Sequence, residues 1–281
     1  MDELYVLARG VLLDALEALG PHRQAVVLVG AQAIYLRVGE ADLAVAPYTT
    51  DGDLAVDPSV LSTIPPLEQA LANGGFLPKS NSSVGIWVTH RSTSTSRSTE
   101  VAVDLLVPET TSPSSGGRTA RLSGHHKRVA RNVKGLEGAL VDCDLLDIGA
   151  LEKHDQRVFN LRVAGAAAML IAKAYKIDER AGTDRQKDKD ALDVLRVLRG
   201  TETADVVERF RRVLADVRTG PVATRAIELL RDQFADRSRP GAQMAARAAG
   251  PLADPEEIAA SCAVLTEDLL SGLNTGRLSW R

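Results

Sequence analysis

Two aspartates that alternate along a short apolar segment are the residues of this chain best suited to chemistry. Asp51 and Asp53 stand at the start of a segment that continues as Leu54-Ala55-Val56. In an extended strand alternate side chains point to the same face, so these carboxylates project together from Cα atoms about 6–7 Å apart. Carboxylates this close repel each other unless a cation lies between them. Magnesium prefers such oxygen ligands, and substrate phosphates usually complete its coordination.

A third carboxylate and a glycine extend this pattern. Asp104 is the only charge in the β-branched run 101–107, which predicts a strand. A buried carboxylate needs a partner or a metal, and three carboxylates on adjacent strands could hold two metal ions for a displacement at phosphorus. The apolar run 25–29 predicts another buried strand, and Gly30 at its end lets the backbone approach a phosphate.

The same residues also allow structural roles. Because Gly52 favours a turn, Asp51 and Asp53 could lie in a solvated loop. Asp104 could be a core aspartate that is bonded to the backbone or to an arginine.

The order of these segments resembles the DNA polymerase β-like nucleotidyltransferase superfamily, and more closely its AbiEii-type branch of bacterial toxins, which includes the MenT toxins. The matching segments span most of the chain and are 27–30, 49–53, 103–105, 172–174 and 189–193. The chain departs from the family at Ala31, where a second Gly or a Ser is usual. Because Ala31 has no hydroxyl, a phosphate contact there must come from the backbone or from Thr49 or Thr50.

The resemblance implies a metal-dependent enzyme that moves a nucleotide from an NTP to an acceptor. Asp51, Asp53 and Asp104 are then the catalytic residues that hold Mg²⁺. The expected nucleotide-binding residues, which contact the triphosphate, are Gly30, Thr49 and Thr50.

Two further catalytic residues are implied by the resemblance alone. It places Lys173 at the phosphates of the nucleotide, although a lysine in an alanine-rich helix could simply extend to solvent. It also favours Asp190 as a functional residue, with Asp188 as the neighbour that could take this role instead. The surrounding charges are equally typical of a solvated helix face.

The acceptor implied by the resemblance is RNA, such as the 3′ end of tRNA, and the implied partner is a cognate antitoxin. Since the net charge of the chain is −3, any RNA contact must come from a local patch. The densest basic segment is 118–134, and its proposed RNA-binding residues are Arg121, Lys127, Arg128 and Arg131. A solvated loop is the alternative for this segment.

Two other functions remain open. One is nucleotidyl transfer to a small molecule or to a protein hydroxyl. The other is a catalytically silent interaction module that keeps the fold.

Composition and element order indicate the fold. The 281 residues are 44% hydrophobic and 25% charged, which is typical of a globular protein. The sequence has no basic leader and no run apolar enough to span a bilayer, so we expect a cytoplasmic protein without a membrane partner. Strands and helices interleave irregularly in the first half and helices dominate the second, which predicts an α/β (α+β) fold. The expected domains are a mixed-sheet nucleotidyltransferase core at 1–164 and a helical domain at 165–281.

Overall fold

The computed structural model describes residues 2–39, 49–93, 98–112, 117–184, 186–251 and 253–275. The strands found in these ranges are β1 (Val26–Val29), β2 (Asp51–Val56), β3 (Leu77–Pro78), β4 (Ile86–Ser92), β5 (Ser98–Pro108), β6 (Arg131–Val133), β7 (Cys143–Gly149) and β8 (Val158–Ala164). The α-helices found there are α1 (Glu3–Leu19), α2 (Gly30–Val38), α3 (Leu67–Asn73), α4 (Ala166–Arg180), α5 (Asp188–Arg199), α6 (Thr203–Ala215), α7 (Gly220–Phe234), α8 (Pro240–Ala248) and α9 (Pro255–Thr275).

The strands form one mixed sheet. Its order is β3-β4-β5-β2-β1-β8-β7, and β6 pairs with β5 beside this path. The pairs β1–β8, β2–β5 and β5–β6 are parallel, whereas β1–β2, β3–β4, β4–β5 and β7–β8 are antiparallel. This sheet and the helices that come after it confirm the expected fold class.

The chain divides into two compact units. The first comprises Met1–Ala33, Pro47–Val133 and Cys143–Ala164. The second comprises Ile34–Ala46, Lys134–Asp142 and Gly165–Arg281. All eight strands found in the described ranges belong to the first unit, and helices α4 to α9 belong to the second.

The first unit is built around β1 and α1. All four residues of β1 are buried, as expected for an apolar strand in the middle of a sheet. Helix α1 has apolar residues at helical spacing, and buries Ala8, Leu12 and Leu16 along one face against the sheet. The N-cap Asp2 accepts a hydrogen bond of 3.1 Å from the backbone N–H of Tyr5, which satisfies one donor of the first turn.

The second unit has a buried cap at the start of α4. The carboxylate of Asp142 accepts a hydrogen bond of 3.0 Å from the backbone N–H of Ala168. It also pairs with Arg209 at 2.7 Å. Gly165 is required at this place because a Cβ atom there would overlap the Asp142 carboxylate. The interaction therefore fixes where α4 begins.

The apolar run 25–29, the segment that starts at Asp51 and the run 101–107 form β1, β2 and β5, as the sequence predicted. Strands β3 and β6 were not predicted, and they are only two and three residues long. Of the helices in the described ranges, none has both the length and the apolar character that a membrane crossing requires.

Candidate active site on the central strands

The strand register puts two of the predicted carboxylates side by side. Asp51 and Asp53 lie on β2, which pairs in parallel with β5, and Asp53 is the direct partner of Asp104 in this ladder. Residues paired in this way point to the same face of a sheet, and Asp51 lies two residues before Asp53 on that face. The three carboxylates therefore share one face of two adjacent strands.

The opposite face of β2 packs on α1 and is held by a buried polar chain. At Gly52 a Cβ atom would lie 3.3 Å from the side chain of Leu12 on α1. The Gln32 amide donates to the carbonyl of Asp51 at 3.0 Å, and it accepts a hydrogen bond of 2.9 Å from Arg9. Arg9 and Gln32 are almost fully buried. They fix the start of β2, and sequence reasoning missed both.

Gly30 makes room for the carboxylate of Asp53. It is the first residue of α2, directly after β1, and its φ of 71° lies in the left-handed region. A Cβ atom at this position would overlap Oδ2 of Asp53 and lie 2.9 Å from its Cγ. The Asp53 carboxylate thus lies against the N-terminus of α2, where helix dipoles favour negative charge.

The two threonines before β2 differ in environment. Thr49 is buried, and its hydroxyl donates a hydrogen bond of 2.6 Å to Oδ1 of Asp51. Thr50 is exposed. The resemblance assigns both threonines to the triphosphate. In the structure the Thr49 hydroxyl orients Asp51, and Thr50 is open to solvent.

Asp104 is paired with an arginine that the sequence assigned to RNA binding. The Arg131 guanidinium lies 2.6 Å from Oδ2 of Asp104, and both side chains are largely buried. Arg131 belongs to β6, and the β5–β6 register pairs it with Leu106. An arginine partner for Asp104 was one of the structural alternatives that the sequence left open.

The donor set fits a divalent cation, because three carboxylates on one face supply the hard oxygen ligands that magnesium prefers. Two of them have other partners: the Thr49 hydroxyl donates to Asp51, and Arg131 pairs with Asp104. No group of three or more His, Cys, Asp or Glu in the described ranges is arranged to hold a metal ion. The strand register brings the three carboxylates to one face, and metal binding there stays a prediction.

Lys173 lies in a buried ion network of the second unit. Its ammonium contacts Asp190 and Asp193 of α5, each at 2.7 Å. Burial lowers the pKa of Lys173, but the two carboxylates outweigh this effect and the net pKa is raised. Asp190 also contacts Lys176 at 2.9 Å, and despite its burial these cations hold its pKa below the usual value. Lys173 and Asp190 are therefore charged partners of each other.

The two aspartates between which the sequence could not decide have different surroundings. Asp190 is buried, whereas Asp188 is more exposed and pairs with Arg247 at 2.7 Å. Sequence reasoning named Asp193 only as part of a motif. The structure shows it fully buried between Lys173 and Arg196, and Arg196 stacks over the ring of Tyr35 with 5.3 Å between guanidinium carbon and ring centroid.

The remaining residues of the predicted RNA patch lie closer to solvent than Arg131. Arg121 and Lys127 are exposed, and Arg128 is half-buried and donates to the carbonyl of Asn81. Arg121 and Lys127 are thus open to solvent, whereas Arg128 contacts Asn81 and Arg131 is paired with Asp104.

Comparisons with known proteins give little further information. No protein-family model and no curated protein matches the chain. A solved structure described as an antigenic nucleotidyltransferase-like protein from Paracoccidioides brasiliensis is similar at 15% identity and a TM-score of 0.41. The alignment covers 70% of this chain and 76% of that one. At this TM-score the likeness supports no statement about the fold or function of the chain.

Proposed function

We propose that this chain is a metal-dependent nucleotidyltransferase that moves a nucleotide from an NTP to an acceptor hydroxyl. The observation that carries the proposal is the pairing of Asp53 with Asp104 on adjacent parallel strands, directly beside the β1–Gly30–α2 turn. The pairing brings two carboxylates, which could ligate a cation, next to a helix N-terminus, where backbone N–H groups can bind phosphate. The carboxylates would suit the metal ion of a metal–triphosphate complex, and the N–H groups would suit its phosphate oxygens.

The residues take distinct roles in this proposal. Asp51, Asp53 and Asp104 would hold magnesium, which would supply the positive charge that activates an acceptor hydroxyl and neutralises a departing pyrophosphate. The N–H groups at the start of α2 would bind triphosphate oxygens, and Gly30 leaves the room that the Asp53 carboxylate occupies beside them. Thr50 is exposed and is available for a further phosphate contact.

The acceptor that we propose is RNA, with the 3′ end of tRNA as the first candidate. Arg121, Lys127 and Arg128 supply positive charge on the first unit, where phosphates of RNA can bind. The family resemblance supports a role as the toxin of a toxin–antitoxin pair, with a cognate antitoxin as partner.

The test is incubation of the purified protein with labelled nucleoside triphosphates, Mg²⁺ and total RNA. Label on RNA supports the proposal, and sequencing of the labelled ends identifies the acceptor. Label on a protein or small molecule keeps the chemistry and replaces the acceptor. No label with any nucleotide, while Asp53→Ala and wild type behave alike, indicates an interaction module without catalytic activity.

A further inference from the structure

Two histidines connect loops of the first unit that are far apart in the sequence. We propose that His125 is the centre of an acid-sensitive latch, which fixes the loop 122–126 on the segment 62–68 at neutral pH and releases it when His125 takes up a proton. Lys127 and Arg128 follow directly in the chain, so the latch holds the middle of the basic segment 118–134 in place. This inference does not depend on the proposed function.

The hydrogen bonds of His125 fix its protonation state. Its Nδ1 accepts a hydrogen bond of 3.0 Å from the backbone N–H of Leu67, the first residue of α3, and its Nε2 lies 3.0 Å from the carbonyl oxygen of Ser62. A carbonyl oxygen can only accept, so Nε2 carries the ring proton, whereas Nδ1 has none. His125 is therefore neutral. A second proton would lie at Nδ1, where it would face the Leu67 N–H and break this hydrogen bond.

A second, fully buried histidine lies against the ring of His125. The rings of His22 and His125 meet edge to face, with 5.8 Å between their centroids. Nε2 of His22 donates to the carbonyl of Pro65 at 2.8 Å, within the segment that His125 also binds. Among the described residues the Nδ1 of His22 has no hydrogen-bond partner, so a proton there would be buried without an acceptor. The geometry of both rings therefore suits the neutral form.

The groups that face His125 act on its charge in both directions. Burial lowers the pKa of His125 below its usual value, and His22 adds to this effect. The hydrogen bond to Ser62 and the negative charge of Glu68 raise the pKa without reversing the net shift. Glu68 also holds the same loop, because its carboxylate accepts a hydrogen bond of 3.1 Å from the backbone N–H of His126.

The direction of the pH effect follows from this lowered pKa. The closed latch binds a proton more weakly than the open one, in which His125 has the ordinary histidine pKa of about 6.5. The latch is therefore most stable above this pH, and it loses stability as the pH falls below this value toward the lower pKa of the closed form.

Close packing beside His125 joins the two loops. Gly124 has a φ of 81°, in the left-handed region, and a Cβ atom there would lie 2.8 Å from the Cβ of Thr63. Leu122 and Leu67, one from each loop, are buried. Because the backbones approach this closely, loss of the hydrogen bond between His125 and Leu67 should loosen both loops together.

The experiment compares amide hydrogen exchange, followed by mass spectrometry, in wild type, His125→Asn and His126→Asn. Peptides that cover 62–68 and 122–128 are followed at about pH 7 and about pH 5.5, on either side of the histidine pKa, with the intrinsic pH dependence of exchange removed. In wild type the opening equilibrium should rise by up to about tenfold between these pH values, the limit for uptake of one proton.

The two variants separate His125 from its neighbour. His125→Asn should show no such rise, because its amide oxygen can accept the Leu67 hydrogen bond and does not titrate. His126→Asn is the matched control, since the His126 side chain is exposed, and it should respond to pH as wild type does.

An unchanged opening equilibrium in wild type, or a wild-type pH response in folded His125→Asn, overturns this inference. If His125→Asn does not fold, ring ¹⁵N NMR spectra of wild type decide the question. They should show His125 neutral and protonated at Nε2 at neutral pH, with a titration midpoint below about 6.5. A ring that is protonated at Nδ1, or one that is charged at neutral pH, contradicts the latch.

Discussion

The two units contain carboxylates in opposite electrostatic settings. In the second unit Asp190 and Asp193 lie buried on a helix with Lys173 between them, and Lys176 and Arg196 add further positive charge. In the first unit three carboxylates share one face of two strands beside a helix N-terminus, and Arg131 pairs with one of them. A neutralised cluster stabilises a fold, whereas carboxylates that share a strand face can bind a cation together. This contrast favours the first unit as the site of chemistry.

The largest expected effect is on activity in the first unit. Asp51→Ala or Asp53→Ala should reduce nucleotide transfer by more than about 100-fold, which exceeds the 10–100-fold loss typical of residues that only support metal ligands. The fold should remain intact because removal of one carboxylate relieves repulsion between neighbours. Label incorporation measures the first effect and thermal unfolding the second. Wild-type rates from either variant would show that this face of the sheet does not hold the catalytic metal.

The next effect concerns stability in the second unit. Lys173→Met leaves two buried carboxylates without their shared cation, so the free energy of unfolding should fall by about 3–5 kcal/mol. Denaturant unfolding followed by two spectroscopic probes measures it. Lys176→Met is the matched control, since its side chain is 38% exposed and also contacts Asp190, and it should cost at most about 1 kcal/mol.

The family resemblance predicts a different outcome for Lys173. If its charge acts on the phosphates in the transition state, Lys173→Ala slows transfer by a factor equivalent to about 2.7–4 kcal/mol without loss of stability. A slow but stable variant would therefore contradict the structural role that the buried network indicates. An unstable variant with a normal rate per folded molecule would contradict the catalytic role.

The sequence could predict features that depend on local pattern. The apolar β-branched runs predicted β1, β2 and β5, and the alternation of Asp51 and Asp53 predicted their common face. Neither Asp104 with Arg131 nor Lys173 with Asp193 could be predicted, because each pair depends on packing between segments that lie 27 and 20 residues apart. Strand β6 was missed because its polar residues Arg131 and Asn132 do not resemble a strand, and it forms where Gly85 leaves space.

The sequence contains one weak indication of the buried Arg9–Gln32 contact. Arg9 lies on the apolar side of α1, and an arginine that is buried there needs several hydrogen-bond acceptors. Tyr5 is a local partner one turn away on the same helix, but Gln32 and Gly149 come from distant segments and no local rule identifies them. The contrast between the two units depends in the same way on long-range contacts.

A smaller effect, on RNA binding, is expected for the basic residues of segment 118–134 other than Arg131, which is paired with Asp104. Replacing Arg121, Lys127 and Arg128 together by Gln should weaken RNA binding and flatten its salt dependence, by up to about 0.7 in the log–log slope for each single-strand phosphate that is no longer neutralised. Filter binding at several salt concentrations gives the slope. Nucleotide binding without RNA serves as the internal control. Binding as tight and as salt-dependent as in wild type would assign RNA to another surface.

The smallest effect tests the contrast within the second unit, between Asp188 and Asp190. Asp188→Asn removes an exposed pair with Arg247, so the free energy of unfolding should change by at most about 1 kcal/mol.

Asp190→Asn should lower the free energy of unfolding by more, and this loss of stability should depend on pH. Because the folded-state pKa of Asp190 is lowered, the carboxylate contributes stability that is fully present above the unfolded value of about 3.9 and is lost as the pH falls toward the folded value. The difference between wild type and Asp190→Asn should thus stay constant above about pH 5 and shrink below about pH 4. Denaturant unfolding of the three proteins from about pH 3 to about pH 7 measures it. An equal cost for Asp188→Asn and Asp190→Asn at neutral pH would show that the buried network stabilises no more than a surface pair.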